Sequence, residues 1–286
     1  MELLSPTIDF IFKKIFGDEH NKELLIDFLN ATLRYETPIV DLKYEDTVMK
    51  KEYIDNKYSI LDIRATLSNK VKVNVEIQVA DTDNMLKRAL YYWSQLYGAD
   101  FKSGKSYKSL QGVICINILN YNLFEDIYMY HRFILYDDRL RIPYAEDLLE
   151  LHFMELSKLD LKKRINKTNE FKTLINWLTF LKDPNLAKRK KLGGAIDKAM
   201  DILTELSGDE EVRKTYFERR RILLEEINAL DTARDRGIQE GIQQGIQQNQ
   251  VKTAIALLGI LEDEVIALTT GLDIEVIRNL RKTHNK

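Results

Sequence analysis

Residues 60–79 run as two stretches in which apolar and polar residues alternate, separated by Ser68-Asn69-Lys70. Strict alternation marks a half-buried strand, and a short polar connection between two such strands makes a hairpin. Pairing Leu67 with Val71 sets Leu61, Ile63, Ala65 and Leu67 opposite Ile77, Val75, Val73 and Val71. Every position on that face is apolar. A slip of one residue would turn the whole set to the other side, so burial alone specifies the register. The second face carries Ile60, Asp62, Arg64 and Thr66 opposite Gln78, Glu76, Asn74 and Lys72. Asp62 therefore lies across from Glu76, and like charges in directly opposed positions are destabilising. Two arrangements compensate. A divalent cation could bridge the carboxylates, whose hard oxygens suit Mg²⁺ or Mn²⁺; alternatively, Arg64 and Lys72 neutralise the acids on an exposed polar face. Gln78 projects from the same side as Glu76 and could orient a water or a phosphate oxygen. Helices predicted before and after the hairpin would cover the sheet and leave the carboxylates in a cleft.

Those helices are legible in the apolar spacing. Ser5-Pro6-Thr7 is a helix-start signature, followed by Ile8, Ile11, Phe12, Ile15 and Phe16 at helical intervals as far as Gly17. A second helix over 21–33 carries Leu24, Leu25, Phe28 and Leu29 on one face, and 40–48 reads as a weak strand. After the hairpin, a helix over about 83–101 turns Leu86, Ala89, Leu90, Trp93, Leu96 and Tyr97 inward. The run GVICINIL at 112–119 is almost wholly apolar, as expected of a strand covered on both faces. Residues 130–136 and 148–156 are further strand candidates. Residues 1–158 thus read as an α/β core, a sheet with helices on both sides. Residues 159–230 read as helical, with stripes at Phe171–Leu181, Ile196–Leu206 and Tyr216–Ile227, and 231–286 as a Gly/Gln-repeat helical tail.

Charge narrows the partners. Forty-three Lys+Arg against 45 Asp+Glu give a net charge of −2, which excludes a uniformly basic polyanion binder. Residues 160–225 nevertheless carry a net +5, with clusters at 162–164, 188–191 and 219–221, so the remainder carries −7. Such runs are either solvated helix faces or nucleic-acid contacts. The single Cys115 excludes a disulfide framework and a cysteine zinc site, and fits a reducing compartment. No apolar run approaches the roughly 20 residues that span a bilayer, and the acidic, proline-containing start lacks a signal-peptide pattern, so a cytoplasmic protein without membrane contact is expected. His20, His131, His152 and His284 show no metal-ligand or triad spacing, and no phosphate-loop or serine-hydrolase pattern is present.

Five ordered motifs go further: SPTIDFIFKKIFG, ILDIRA, VNVEIQ, LKRALYYWSQLYG and SGKSYKSLQGVICINIL. Together, over about residues 5–160, they resemble the Rpn-type recombination-promoting nuclease/putative transposase family of the PD-(D/E)XK nuclease superfamily. The resemblance implies a restriction-endonuclease-like α/β core, a mixed sheet flanked by helices, with a helical C-terminal extension. It also implies a Mg²⁺-dependent DNA endonuclease acting in recombination or transposition, with Mn²⁺ as an alternative ion. Carried over by position, Asp62 is the first acid, Glu76 the second, and Gln78 stands where the wider superfamily has Lys. Residue 61 is Leu where the motif has Pro. Asp62, Glu76 and the backbone carbonyl of Ile77 would be metal ligands, and Gln78 would position the water. Phosphodiester hydrolysis needs a nucleophilic water, charge neutralisation at phosphorus and a stabilised leaving oxygen, all of which bound Mg²⁺ can supply.

Two i, i+4 pairs match the same motifs. Asp9 and Lys13 are either a helix ion pair or an acid leaning toward the metal with a cation toward a phosphate. Arg88 and Tyr92 are either a surface cation–π pair or groups that support the cleft, with Arg88 clamping a phosphate. The functional alternative to an endonuclease is a non-catalytic DNA-binding or assembly protein on the same fold.

The tail repeats with period four: Gly237-Ile238-Gln239-Glu240, Gly241-Ile242-Gln243-Gln244, Gly245-Ile246-Gln247-Gln248. On a helix this lines up three glycines with three isoleucines beside them. Each interior glycine costs about 1 kcal/mol relative to Ala, so the helix would gain from a partner, which makes a homo-oligomer through the tail one reading. A flexible linker and a heterologous partner are the others. Helices over 251–261 and 273–281 complete the chain.

Overall fold

The computed structural model describes residues 2–45, 63–99, 101, 104–144, 148–159 and 171–284. Asp62 lies outside the described residues, as do the ends of the weak strand and of the hairpin's first strand. The hairpin forms in the register its alternation dictates: Ile63 faces Val75, Arg64 faces Asn74, Ala65 faces Val73 and Thr66 faces Lys72. The Lys70 amide donates to the Leu67 carbonyl and closes the turn.

Along the chain the helices are α1 (Asp9–Phe16), α2 (Lys22–Leu33), α3 (Met85–Gly98), α4 (Lys172–Lys182), α5 (Pro184–Lys190), α6 (Ala195–Gly208), α7 (Glu210–Leu257), α8 (Asp263–Thr270) and α9 (Ile274–His284). The strands are β1 (Leu42–Tyr44), β2 (Ile63–Leu67), β3 (Lys72–Gln78), β4 (Val113–Leu119), β5 (Tyr130–Ile134), β6 (Tyr136–Asp137), β7 (Ile142–Pro143) and β8 (Leu149–Glu155). Six of them form one sheet in the order β1-β2-β3-β4-β8-β5, and β6 pairs with β7 separately. β3–β4 and β4–β8 are parallel and the other pairs antiparallel. Parallel neighbours need a crossover, which α3 provides between β3 and β4. The result is a mixed sheet flanked by helices, an α/β fold of the PD-(D/E)XK type with a helical C-terminal stretch.

The two faces of the sheet have different fates. Ile63, Ala65, Val73, Val75, Ile114, Ile116 and Ile118 share one core with the buried residues of α1, α2, α4 and α6. Within it Trp177 of α4 packs tilted against Phe16 and edge-on against Phe28 and Phe180, and its Nε1–H donates to Asp27 at 2.7 Å. On the other face α3 buries Met85, Ala89 and Leu96 against Val113, Cys115, Leu151 and Phe153. β4 is therefore buried at all seven positions, as its apolar run predicts.

α3 sits rotated from its apolar stripe. Leu86 and Leu90, expected inside, are 44% and 49% exposed, whereas Arg88 is turned to the sheet. The buried ridge runs Met85, Ala89, Leu96, and a charge pair described below sets its orientation. The Phe171–Leu181 stripe, carried by α4, is followed at once by α5, because Asp183 Oδ1 caps the Leu186 amide at 2.9 Å and Pro184 occupies the first turn, where its missing N–H costs nothing.

Two compact units divide the chain, Met1–Leu224 and Glu225–Lys286. α7 runs through the Gly/Gln repeat without a break. In the second unit Ala254, Leu258, Ile266 and Ile277 form a small core, and the Arg281 guanidinium ties Asp263 at 2.7 Å and the Leu261 carbonyl at 2.8 Å. Ile238, Ile242 and Ile246 of the repeat stay about half exposed. Among the described residues no helix is long and apolar enough to cross a membrane.

Candidate active site

β3 places Glu76 on the face it shares with α3, and the carboxylate is 1% exposed. A lone buried carboxylate is costly. Two side chains converge on it. Arg88, one turn into α3, donates from Nη2 to Glu76 Oε1, and Gln78 donates from Nε2 to the same oxygen at 2.5 Å. Burial works against the charge on Arg88, but Glu76, with smaller help from Tyr92, outweighs it and holds the guanidinium pKa above its ordinary value. Arg88 also lies over the Tyr92 ring at 5.7 Å, and among the described residues its buried Nε–H has no hydrogen-bond acceptor.

The structure thus brings together Glu76, Gln78, Arg88 and Tyr92. Ile77, between the two polar residues, turns its side chain into the opposite core. Asp9 and Lys13 stand on α1, which packs against β3, α2 and α6, and Asp9 Oδ1 accepts the Phe10 amide at 2.6 Å. Asp62 precedes the first described residue of β2.

Two residues the sequence reading did not single out border this site. Asn117 is the direct strand neighbour of Glu76 on β4; it is buried, with Nδ2 donating to the His152 carbonyl at 3.1 Å. The signal was available, since Asn117 is the lone amide in a run of apolar side chains. Tyr121 follows β4. Burial, reinforced by Asp81, pushes its phenol well above the ordinary tyrosine range, while Arg88 pulls it back and Glu76 adds to the rise, so its hydroxyl lies within electrostatic reach of the pair.

Other polar groups in this unit serve the fold. Glu155 Oε1 accepts the amides of Leu123 and Phe124, and its Oε2 meets Lys158 at 2.8 Å, which pins the segment after β4. On the opposite face His152 is fully buried between Tyr130 (2.9 Å) and Glu150 (3.0 Å), with Arg132 on Glu150 at 2.9 Å.

The donor set favours a hard cation. Glu76 supplies a carboxylate, Ile77 a backbone carbonyl and Gln78 an amide oxygen, all oxygens of the kind Mg²⁺ and Mn²⁺ take. Among the described residues no group of three or more His, Cys, Asp and Glu side chains could hold a metal ion.

A buried strand acid beside a polar residue two positions on, in a mixed sheet whose next helix packs over it, defines a nuclease-like core of the PD-(D/E)XK class. A family model described as PD-(D/E)XK nuclease family transposase matches residues 6–233, and the chain belongs to that family. No curated protein and no solved structure matches the chain.

Proposed function

We propose that this protein is a metal-dependent DNA endonuclease that hydrolyses phosphodiester bonds in recombination or transposition. The observation that carries the reading is the convergence of Gln78 and Arg88 on the buried carboxylate of Glu76. Asp62, Glu76 and the Ile77 carbonyl would hold Mg²⁺ or Mn²⁺, which when bound supplies Lewis-acid neutralisation of phosphate charge and a more acidic water. The remaining work belongs to the chain. Gln78 has no titratable group, so its amide orients the attacking water without taking its proton. Arg88 pairs with the Glu76 carboxylate, and its buried Nε–H is a donor that a phosphate oxygen would satisfy, as charge-assisted recognition of phosphate requires. Tyr92 fixes the guanidinium by packing beneath it. Asp9 and Lys13 would extend the acid and cation pattern from α1. The single buried Cys115 suits a reducing compartment such as the cytoplasm, and the exposed Ile ridge of α7 suits a homo-oligomer.

One observation favours a second reading. Arg88 already satisfies the charge of Glu76, and Gln78 replaces the lysine of the wider superfamily, as a DNA-binding or assembly protein without catalysis would allow.

Supercoiled plasmid incubated with the protein and Mg²⁺ or Mn²⁺, beside Asp62→Ala and Glu76→Ala, separates the two. Nicking lost in both variants supports the endonuclease. Binding without nicking by the wild type supports the second reading, and nicking that survives both substitutions refutes the assigned site.

A further inference from the structure

On β4, Val113, Cys115 and Leu119 face α3, and Asn117 between them stands beside Glu76. The next position of the same parity is Tyr121. Its ring packs, partly buried, against the same α3-side core. It follows Leu119, the partner of Gln78, by one strand repeat of roughly 7 Å. The backbone is fixed before and after it. The Asn120 amide donates to the Gln78 carbonyl at 2.9 Å. Asn122 accepts the Ser157 hydroxyl at 2.5 Å, and Leu123 and Phe124 give their amides to the buried Glu155. Tyr121 thus stands at the strand end that carries Glu76 and Gln78, on their face of the sheet.

This held ring presents an unused hydroxyl. Among the described residues the Tyr121 Oη has no hydrogen-bond partner, whereas a tyrosine that is largely buried usually finds one. Arg88 and Glu76 are near enough for their charges to act on it, as are Asp81 and Glu155. The acids are engaged elsewhere: Glu76 by Arg88 and Gln78, Asp81 by the Asp83 amide at 3.0 Å, and Glu155 by two amides and Lys158. Arg88 has only donors to offer, and among the described residues its buried Nε–H lacks an acceptor as well. Two donors without an acceptor therefore lie around one carboxylate, and an anionic oxygen arriving from solvent matches both.

Building on the nuclease reading above, we propose that Tyr121 contacts the substrate: its hydroxyl, together with Arg88 Nε–H, holds one non-bridging oxygen of the phosphate at Glu76. Charge builds on those oxygens as water adds to phosphorus, so donors fixed in advance stabilise the transition state more than the bound strand. A phenol suits the place. It donates a hydrogen bond without setting a second cation beside Arg88, and its packed ring leaves the oxygen little freedom. The Glu155–Lys158 pair acquires a purpose too, because it fixes the turn that carries Tyr121.

The test compares Tyr121→Phe with the wild type as full-length proteins. Plasmid nicking is followed in Mn²⁺ with protein in excess, and binding of a fluorescein-labelled DNA duplex by anisotropy in EDTA. Phe keeps the packing of the ring, so the melting temperature should not change. Nicking should slow about 100-fold, and duplex affinity should fall about 3–10-fold. Tyr128→Phe, on the same connection but 50% exposed, should match the wild type in both. Wild-type nicking and affinity in Tyr121→Phe overturn the contact and leave the nuclease reading standing. An equal loss in Tyr128→Phe, or a lowered melting temperature in Tyr121→Phe, assigns the hydroxyl to the fold and also overturns it. A wild type that binds the duplex but nicks no plasmid refutes the nuclease reading; the phosphate contact then stands or falls on affinity, and an unchanged value overturns it. A wild type that neither binds nor nicks refutes both.

Discussion

Arg88 and Glu76 form an ion pair between α3 and β3, with side chains 16% and 1% exposed. Removing one partner of a buried pair strands the other charge, which costs about 3–5 kcal/mol. Arg88→Ala should therefore lower stability by roughly 3 kcal/mol in urea unfolding, and adding Glu76→Gln should recover most of that loss. Millimolar Mn²⁺ should raise the melting temperature of Arg88→Ala more than that of the wild type, because a cation at Glu76 replaces the missing guanidinium. Equal shifts in both proteins would disconnect the metal from Glu76.

Gln78 tests the water-positioning role. It is partly exposed at the end of β3, so Gln78→Ala should leave the melting temperature unchanged while slowing plasmid nicking about 10–100-fold, the usual cost of losing a group that orients a metal site. Gln78→Lys, which restores the residue of the wider superfamily, should retain nicking. A variant as slow as Gln78→Ala would mean that the site is built around an amide.

Acid stability should depend on His152. Burial, partly offset by Glu150, depresses its pKa below the ordinary 6.5. Glu150 is also held below its ordinary 4.5; burial opposes this, but His152 and Arg132 outweigh it. Tyr130 and Arg132 of β5 and Arg34 after α2 face the same cluster. With the folded pKa below the unfolded one, the unfolded chain binds more protons, so stability is full above about pH 6.5 and declines as pH falls below it. His152→Gln should flatten the dependence of melting temperature on pH just below 6.5. An unchanged slope would assign the titration elsewhere.

The repeat of α7 offers a two-way test. A Cβ added at Gly237, Gly241 or Gly245 meets nothing within 4 Å, so in an unpartnered helix each Gly→Ala change should stabilise by about 0.5–1 kcal/mol. In a homo-oligomer with close backbone approach, the triple substitution should instead lower the mass seen by light scattering, as should Ile242→Asp. A mass that neither change alters would exclude association through this ridge.

The hairpin shows how far local pattern reaches. Period-two alternation with one wholly apolar face leaves a single register that buries it, and β2 pairs with β3 as that argument requires. The continuous burial of β4 follows equally from its composition. α3 shows where pattern stops. Of the stripe expected inside, Ala89, Trp93, Leu96 and Tyr97 do pack inward, while a second stripe through Met85 and Ala89 displaces the larger Leu86 and Leu90. The second stripe brings Arg88 onto Glu76, and a partner for a buried carboxylate is a requirement that no window of the helix itself records.

The same division holds for the rest of the chain. Three interior glycines read as a weak point in a helix, yet α7 crosses them unbroken. By itself the sequence determined that β2 pairs with β3, in which register, and which strand faces are apolar, because these depend on neighbours a few residues apart. Only the tertiary structure decided that Arg88 and not Leu86 faces the sheet, that Asn117 borders Glu76, and that Lys43 of β1 joins the row of Thr66 and Lys72. Those relations join strands and helices distant in sequence, and they are set by burying charge and apolar area together.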